Sequence, residues 1–159
     1  MSSATTIPAV VRSVTVSATL DHAFRVFTER FTSWWPPGYH IGEVEMAEAV
    51  LEPRAGGRWY ERGVDGSECD WGTVLAWDPP RRVLLAWQID GEWHRDPDPA
   101  HASEVEVTFT DDAPDRTTVT VEHRNFDRLA HANSLSEAIG GEGGWGLILT
   151  RYTDATQAA

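Results

Sequence analysis

The chain has one cysteine, few basic side chains and no long apolar run, and each shortage excludes a class of protein. Cys69 alone cannot close an internal disulfide. The fold must then be held by its core, and a reducing, cytoplasmic setting is the expectation. Thirteen basic residues stand against 25 acidic ones, for a formal net charge of -12. A surface of that sign repels a phosphate backbone and an anionic bilayer, so neither nucleic acid nor membrane is expected as a partner. No stretch approaches the ~18 apolar residues of a membrane span. Met1 to Ala9 has neither the basic start nor the apolar run of a signal peptide. Metal ligands are sparse as well. His94 and His101 share a loop without a third ligand, His22, His40 and His131 are scattered, and there is no cysteine pair. No metal and no cofactor are expected. Cys69 is followed by Asp70, whose charge disfavours a thiolate, and no G-x-S-x-G elbow occurs, so a covalent nucleophile is not expected either.

What the chain does have is tryptophan. There are eight in 159 residues. Five fall in a run of short apolar segments: Trp59, Trp71, Trp77, Trp87 and Trp93. Turn signals separate them: Gly56-Gly57, Asp65-Gly66 and Asp78-Pro79-Pro80. That pattern reads as an antiparallel meander with bulky aromatics on successive strands. The length suits one domain, here 10–157 after a loose leader over 1–9. A chain of this size buries roughly 70% of its unfolded surface, so it needs no staples.

Along the chain, Val10 to Val16 alternates as a half-buried strand. Thr19 is an N-cap with Asp21 in the first turn. Leu20, Phe24, Phe27 and Phe31 then form an amphipathic stripe that Trp34-Trp35-Pro36-Pro37-Gly38 ends, giving a short helical segment or pair. Further strands are expected at Glu43–Glu52, Arg58–Gly63, Trp71–Trp77, Arg82–Ile89, Glu104–Thr110 and Thr117–His123. A long loop is expected between Gly91 and Ser103, a short helix within Asn125–Ala138, and a last helix after Gly144. In that helix Trp145, Leu149 and Tyr152 share a stripe, with Leu147 and Ile148 beside it.

This order resembles the helix-grip fold of the START/Bet v1-like (SRPBCC) superfamily. Within it the chain is similar to the group related to the C-terminal domain of the activator of Hsp90 ATPase. The residues that carry the likeness are Val10 to Phe31, Trp34-Trp35-Pro36-Pro37, Glu52-Pro53-Arg54-Ala55-Gly56-Gly57-Arg58-Trp59, Gly72 to Pro80, Val119 to His123, and Gly144-Trp145. The resemblance implies an α+β fold: a curved antiparallel seven-stranded sheet wrapped around a long C-terminal helix, with a cavity between them. It does not fix function, because the superfamily hosts carriers, cyclases and hydrolases alike. The co-chaperone that names the group carries an additional N-terminal domain for its partner, and only nine residues precede the first strand here. Hsp90-type protein interaction therefore stands third, behind a binder of a small apolar or aromatic molecule and an enzyme doing acid–base chemistry on a polyketide-like ring. A second copy of the chain is an admissible partner.

The candidate site follows from parity. Val119, Val121 and His123 share the buried face of one strand, which would place His123 under the last helix, either satisfied within the core or facing a ligand as a proton-transfer group. Trp59, Trp71, Trp87 and Trp145 are the aromatic candidates for a cavity wall, or else plain core. Glu61 shares the parity of Trp59. If inward it is a ligand contact and a partner for His123; the commoner outcome for such a residue is a surface charge. Trp71, Thr73, Leu75 and Trp77 are expected on one face. Gly141-Glu142-Gly143-Gly144-Trp145-Gly146 matches G-x-G-x-x-G, but no strand–helix–strand context follows, so it reads as a hinge into the last helix, placed where it could gate a cavity mouth.

Overall fold

A computed structural model of the chain describes residues 7–158; the first six residues of the expected leader lie outside the described residues. Strand β1 (Val10–Val16) leads into helices α1 (Leu20–Thr28) and α2 (Phe31–Trp34). The Thr19 side chain accepts the His22 N–H at 3.1 Å and caps α1. Phe24 and Phe27 point into the core, and the chain breaks at Glu29–Arg30 before Phe31 opens the second helix. Pro36 and Pro37 then prevent any continuation.

Six more strands follow: β2 (Met46–Leu51), β3 (Arg58–Gly63), β4 (Glu68–Asp78), β5 (Arg82–Trp87), β6 (Ser103–Ala113) and β7 (Arg116–Arg124). Every pairing is antiparallel, in the order β1-β7-β6-β5-β4-β3-β2. The first two strands are thus opposite edges of one sheet, and α1 and α2 make the crossing. Helices α3 (Ala132–Gly140) and α4 (Trp145–Ala158) complete the α+β helix-grip fold.

The sheet is curled, and its two faces differ in chemistry. The concave face carries Val74, Val83, Leu85, Val105, Val107, Phe109, Val119 and Val121, all buried against the helices. The outer face carries arginines among carboxylates. Arg58 reaches Glu68 and Asp70 and stacks 4.0 Å over the Tyr60 ring. Arg62 pairs with Glu48, and Arg124 lies among Glu104, Glu106 and Glu122. Helix α4 closes the concave side. Tyr152 is fully buried and donates its O–H to the Ala23 carbonyl at 2.6 Å, locking α4 to α1. Burial pushes the Tyr152 phenol well above its ordinary value, so it stays a donor.

Two expectations need correction. Leu147, expected beside the stripe of Trp145, Leu149 and Tyr152 together with Ile148, is exposed while Ile148 is buried, and Thr156 extends the buried side of α4. The uniform parity expected along Trp71–Trp77 is broken twice. The β3–β4 register shifts between Trp59 and Tyr60, and the β4–β5 register shifts between Val74 and Ala76. Each bulge changes the phase of the side chains. Trp71 and Val74 therefore face inward, while Leu75 is 47% exposed.

Candidate functional site

Between the concave face and the last two helices lies a cleft of about 640 Å³. Trp71 and Trp87 come from the sheet and Ile89 from the residues just after β5. The segment after α2 supplies Trp35, Tyr39, His40 and Ile41. The end of α3, the glycine-rich turn Gly141–Gly144 and Ile148 of α4 form the facing wall. Trp93 also lines the cleft, with 48% of its surface exposed. Tyr39 donates its O–H to the Gly143 carbonyl at 2.7 Å, joining the two walls. The glycine-rich turn before α4 lines the cleft.

Of the six candidate residues, Trp71 and Trp87 line this space, and Trp59, Glu61, His123 and Trp145 lie behind it. Four stand in one stretch of the sheet because of register. Gly72 pairs with both Trp59 and Trp87, and Trp87 pairs with Ser103. Gly72 has no side chain on this inner row, so the flanking indoles meet over it, edge to face at 5.6 Å. A Cβ on Gly72 would lie 1.7 Å from the Ala86 carbonyl oxygen. Trp59 is fully buried, packed edge to face on Phe31, Trp71 and Trp87.

His123 is fully buried, opposite Val105 and diagonal to Ser103. Trp145 Nε1 lies 3.2 Å from His123 Nδ1. An indole can only donate, so Nδ1 accepts and the imidazole proton sits on Nε2. Nε2 then donates to Ser103 Oγ at 2.9 Å, and Ser103 donates to the Trp87 carbonyl at 3.2 Å. The ring is sandwiched near Trp87 and Phe126 at 4.9 and 4.6 Å. Burial without a charged partner pushes its pKa down to about 3. Both nitrogens are engaged inside the core, and neither opens on the cleft.

Glu61 reverses the commoner expectation. It is 1% exposed, not a surface charge. It does not meet His123 either. Its two oxygens accept from Ile41 N at 2.6 Å, Gly42 N at 3.1 Å and Trp71 Nε1 at 2.8 Å. The loop can come this close because residue 42 is glycine: a Cβ there would stand 2.8 Å from Glu61 Oε2. His40 sits on the same carboxyl, with Nδ1 3.7 Å from Oε2 and 3.0 Å from the Gly42 carbonyl. Trp35, Tyr39, His40 and Trp93 join the cleft wall although no periodicity in the sequence marks them as site residues. The signal for the first three was the aromatic density of Trp34-Trp35-Pro36-Pro37-Gly38-Tyr39-His40, a segment too rich in large rings to be only a helix stop. Near the second, smaller cavity beside Cys69, burial and the Glu61 charge hold the thiol pKa up, which leaves Cys69 a poor nucleophile.

Comparison with known proteins gives this geometry a context. The anthrahydroquino-γ-pyrone synthase Txn09 is 39% identical, with 94% of this chain and 97% of that one covered and a TM-score of 0.66. The self-sacrificing resistance protein CalC from Micromonospora echinospora is 35% identical over 95% of both chains, with a TM-score of 0.69. Protein MLL2253 from Mesorhizobium loti shares the fold at 18% identity, with a TM-score of 0.68. No curated protein sequence matches. Residues 17–155 match the family described as Activator of Hsp90 ATPase homolog 1-like protein. The chain therefore belongs to the Activator of Hsp90 ATPase homolog 1-like family, within the START/Bet v1-like superfamily.

Proposed function

We propose that this protein binds a small, largely apolar aromatic molecule in the cleft between the sheet and α4. The observation that carries this reading is the cleft's lining: Trp35, Trp71, Trp87 and Trp93 with Ile139 and Ile148, around a volume of about 640 Å³. Ligand pockets run roughly 300–1,000 Å³ and are mainly apolar with a few polar groups, and this cleft has that size and make-up. The net charge of -12 and the cleft-lining Glu137 and Glu142 favour a neutral ligand over an anionic one. Trp59 and Trp145 support the wall from behind rather than touching the ligand. His123 holds Trp145 by accepting its indole N–H and packs its ring against Trp87, and carries no proton to or from a substrate. A cytoplasmic location fits the unpaired Cys69.

Filling the cleft tests the reading. Ala138 lines it from α3 and is partly exposed, so Ala138→Trp should fold and occlude the space. Polycyclic aromatic probes should quench tryptophan emission in the wild-type protein and lose that effect in the variant. Equal quenching in both would place the ligand elsewhere. Acid–base chemistry on a ring substrate is the second reading, favoured by the 39% identity to a synthase.

A further inference from the structure

Resting on the cleft as the ligand site, we propose that His40 is the proton-transfer group of this protein, held in place by Glu61, and that its ligand is an aromatic ring bearing an ionisable hydroxyl. His40 lines the cleft with a side chain 23% exposed. Its Nδ1–H is directed at the Gly42 carbonyl at 3.0 Å, which fixes the tautomer and leaves the Nε2 lone pair free. Among the described residues Nε2 has no partner. Behind the ring stands the Glu61 carboxyl, 3.7 Å from Nδ1, too long for a hydrogen bond but close enough for charge to act. Glu61 is itself immobilised by Ile41 N, Gly42 N and Trp71 Nε1. Base, orienting group and apolar wall therefore stand together, which is the arrangement acid–base catalysis needs.

The chemistry of the ligand follows from what surrounds His40. Among the described residues the remaining titratable groups on the cleft wall are Tyr39, Glu137 and Glu142, so no lysine or arginine stands there to pair with a carboxylate or phosphate. The backbone N–H groups of Ile41 and Gly42 are consumed by Glu61, so they cannot serve as an oxyanion hole for acyl transfer. A hydroxyl is what remains. In the step, the ligand O–H bond breaks, the proton bonds to Nε2, and the electron pair stays on the ligand oxygen. The resulting imidazolium keeps its Nδ1–H on Gly42 and has the buried Glu61 carboxylate beside it. The reverse transfer returns the proton, so no further reactant is required. Glu61 is a positioning residue, not a catalytic one.

The test uses alizarin, whose visible band moves to the red on loss of a phenolic proton, and alizarin dimethyl ether, which cannot ionise. Tryptophan quenching reports binding and the dye band reports proton transfer. Both dyes should bind, and bound alizarin should ionise about one pH unit below the free dye, roughly a tenfold effect. His40→Gln should abolish that shift while the ether still binds. Glu61→Gln should also reduce it; because the amide sets a donor against the Ile41 or Gly42 N–H, ether binding in the same variant reads whether the loop itself has moved. Should that variant fail to fold, His40→Gln decides alone. Bound alizarin that ionises like free dye, or a shift that survives in His40→Gln, overturns the proposal and leaves the cleft reading standing. If neither dye quenches, the cleft reading falls and takes the proposal with it.

Discussion

Acid should weaken this fold through His123. The ring is fully buried and its pKa is pushed down to about 3, against an ordinary 6.5 in the unfolded chain. Between those two values the unfolded state binds a proton that the folded state refuses. Stability is therefore complete above about pH 6.5 and falls as pH drops toward 3, at about 1.4 kcal/mol per pH unit. From pH 6.5 to 5 the loss is roughly 2 kcal/mol. The arginines of the outer face hold the Glu68 and Glu106 carboxyls below their ordinary values, so acid acts on them as well and a reference variant is needed. His123→Phe keeps the ring contacts with Phe126 and Trp87 but leaves the Trp145 N–H without its acceptor and Ser103 without its donor. It should be less stable than wild type by about 1–3 kcal/mol at pH 7.5. On acidification to pH 5 that gap should close by roughly 2 kcal/mol, because only the wild-type chain carries the imidazole. Urea unfolding at both pH values measures it. A gap that stays constant would mean that His123 titrates normally in the folded state, and the buried neutral ring would be the wrong description.

Two further outcomes test the packing. Trp145→Ala removes a side chain only 1% exposed together with the hydrogen bond to His123, and should cost about 3–5 kcal/mol in urea unfolding. A loss under about 1 kcal/mol would show that the indole does not fill the core. Gly72→Ala places a Cβ 1.7 Å from a backbone oxygen of β5, where nothing flexible can yield. It should cost at least about 3 kcal/mol, read from the thermal midpoint, and a variant as stable as wild type would contradict the close approach of β4 to β5.

Strand extent was largely legible, even in β3, whose register shifts against both of its neighbours. β1 and β3 fall on the expected bounds, and β7 differs by one residue at each end. β4 was readable as a strand but not as a surface, since its two bulges arise from pairing with β3 and β5, and pairing leaves no mark in the sequence of one strand. β2 shortened to Met46–Leu51 because residues 43–45 leave the sheet. Inside the site, the shared parity of Trp59 and Glu61 left open which face they take, and the fate of Glu61 depended on donors from residues 41 and 42, about twenty positions away in sequence. His123 was correctly placed under the last helix. Its partners were not, because a diagonal neighbour such as Ser103 appears only once β6 and β7 are in register. His40 was invisible for the same reason: its importance comes from a carboxyl on another strand.

The cleft is walled mainly by segments that contribute little to the sheet. Residues 35–41, Trp93 and the 137–144 turn form most of the lining, while Trp59, His123, Trp145 and the valines of β6 and β7 hold the fold without reaching it. Stability and ligand choice are thus written in largely separate residues. Such a layout lets selection or a designer exchange Ile41, Trp93 or Ala138 to recut the recognition surface while the scaffold keeps its melting behaviour. Trp35, Trp71, Trp87, Ile89, Ile139 and Ile148 are the exceptions, since each is both core and wall, and changes there should alter selectivity and folding together.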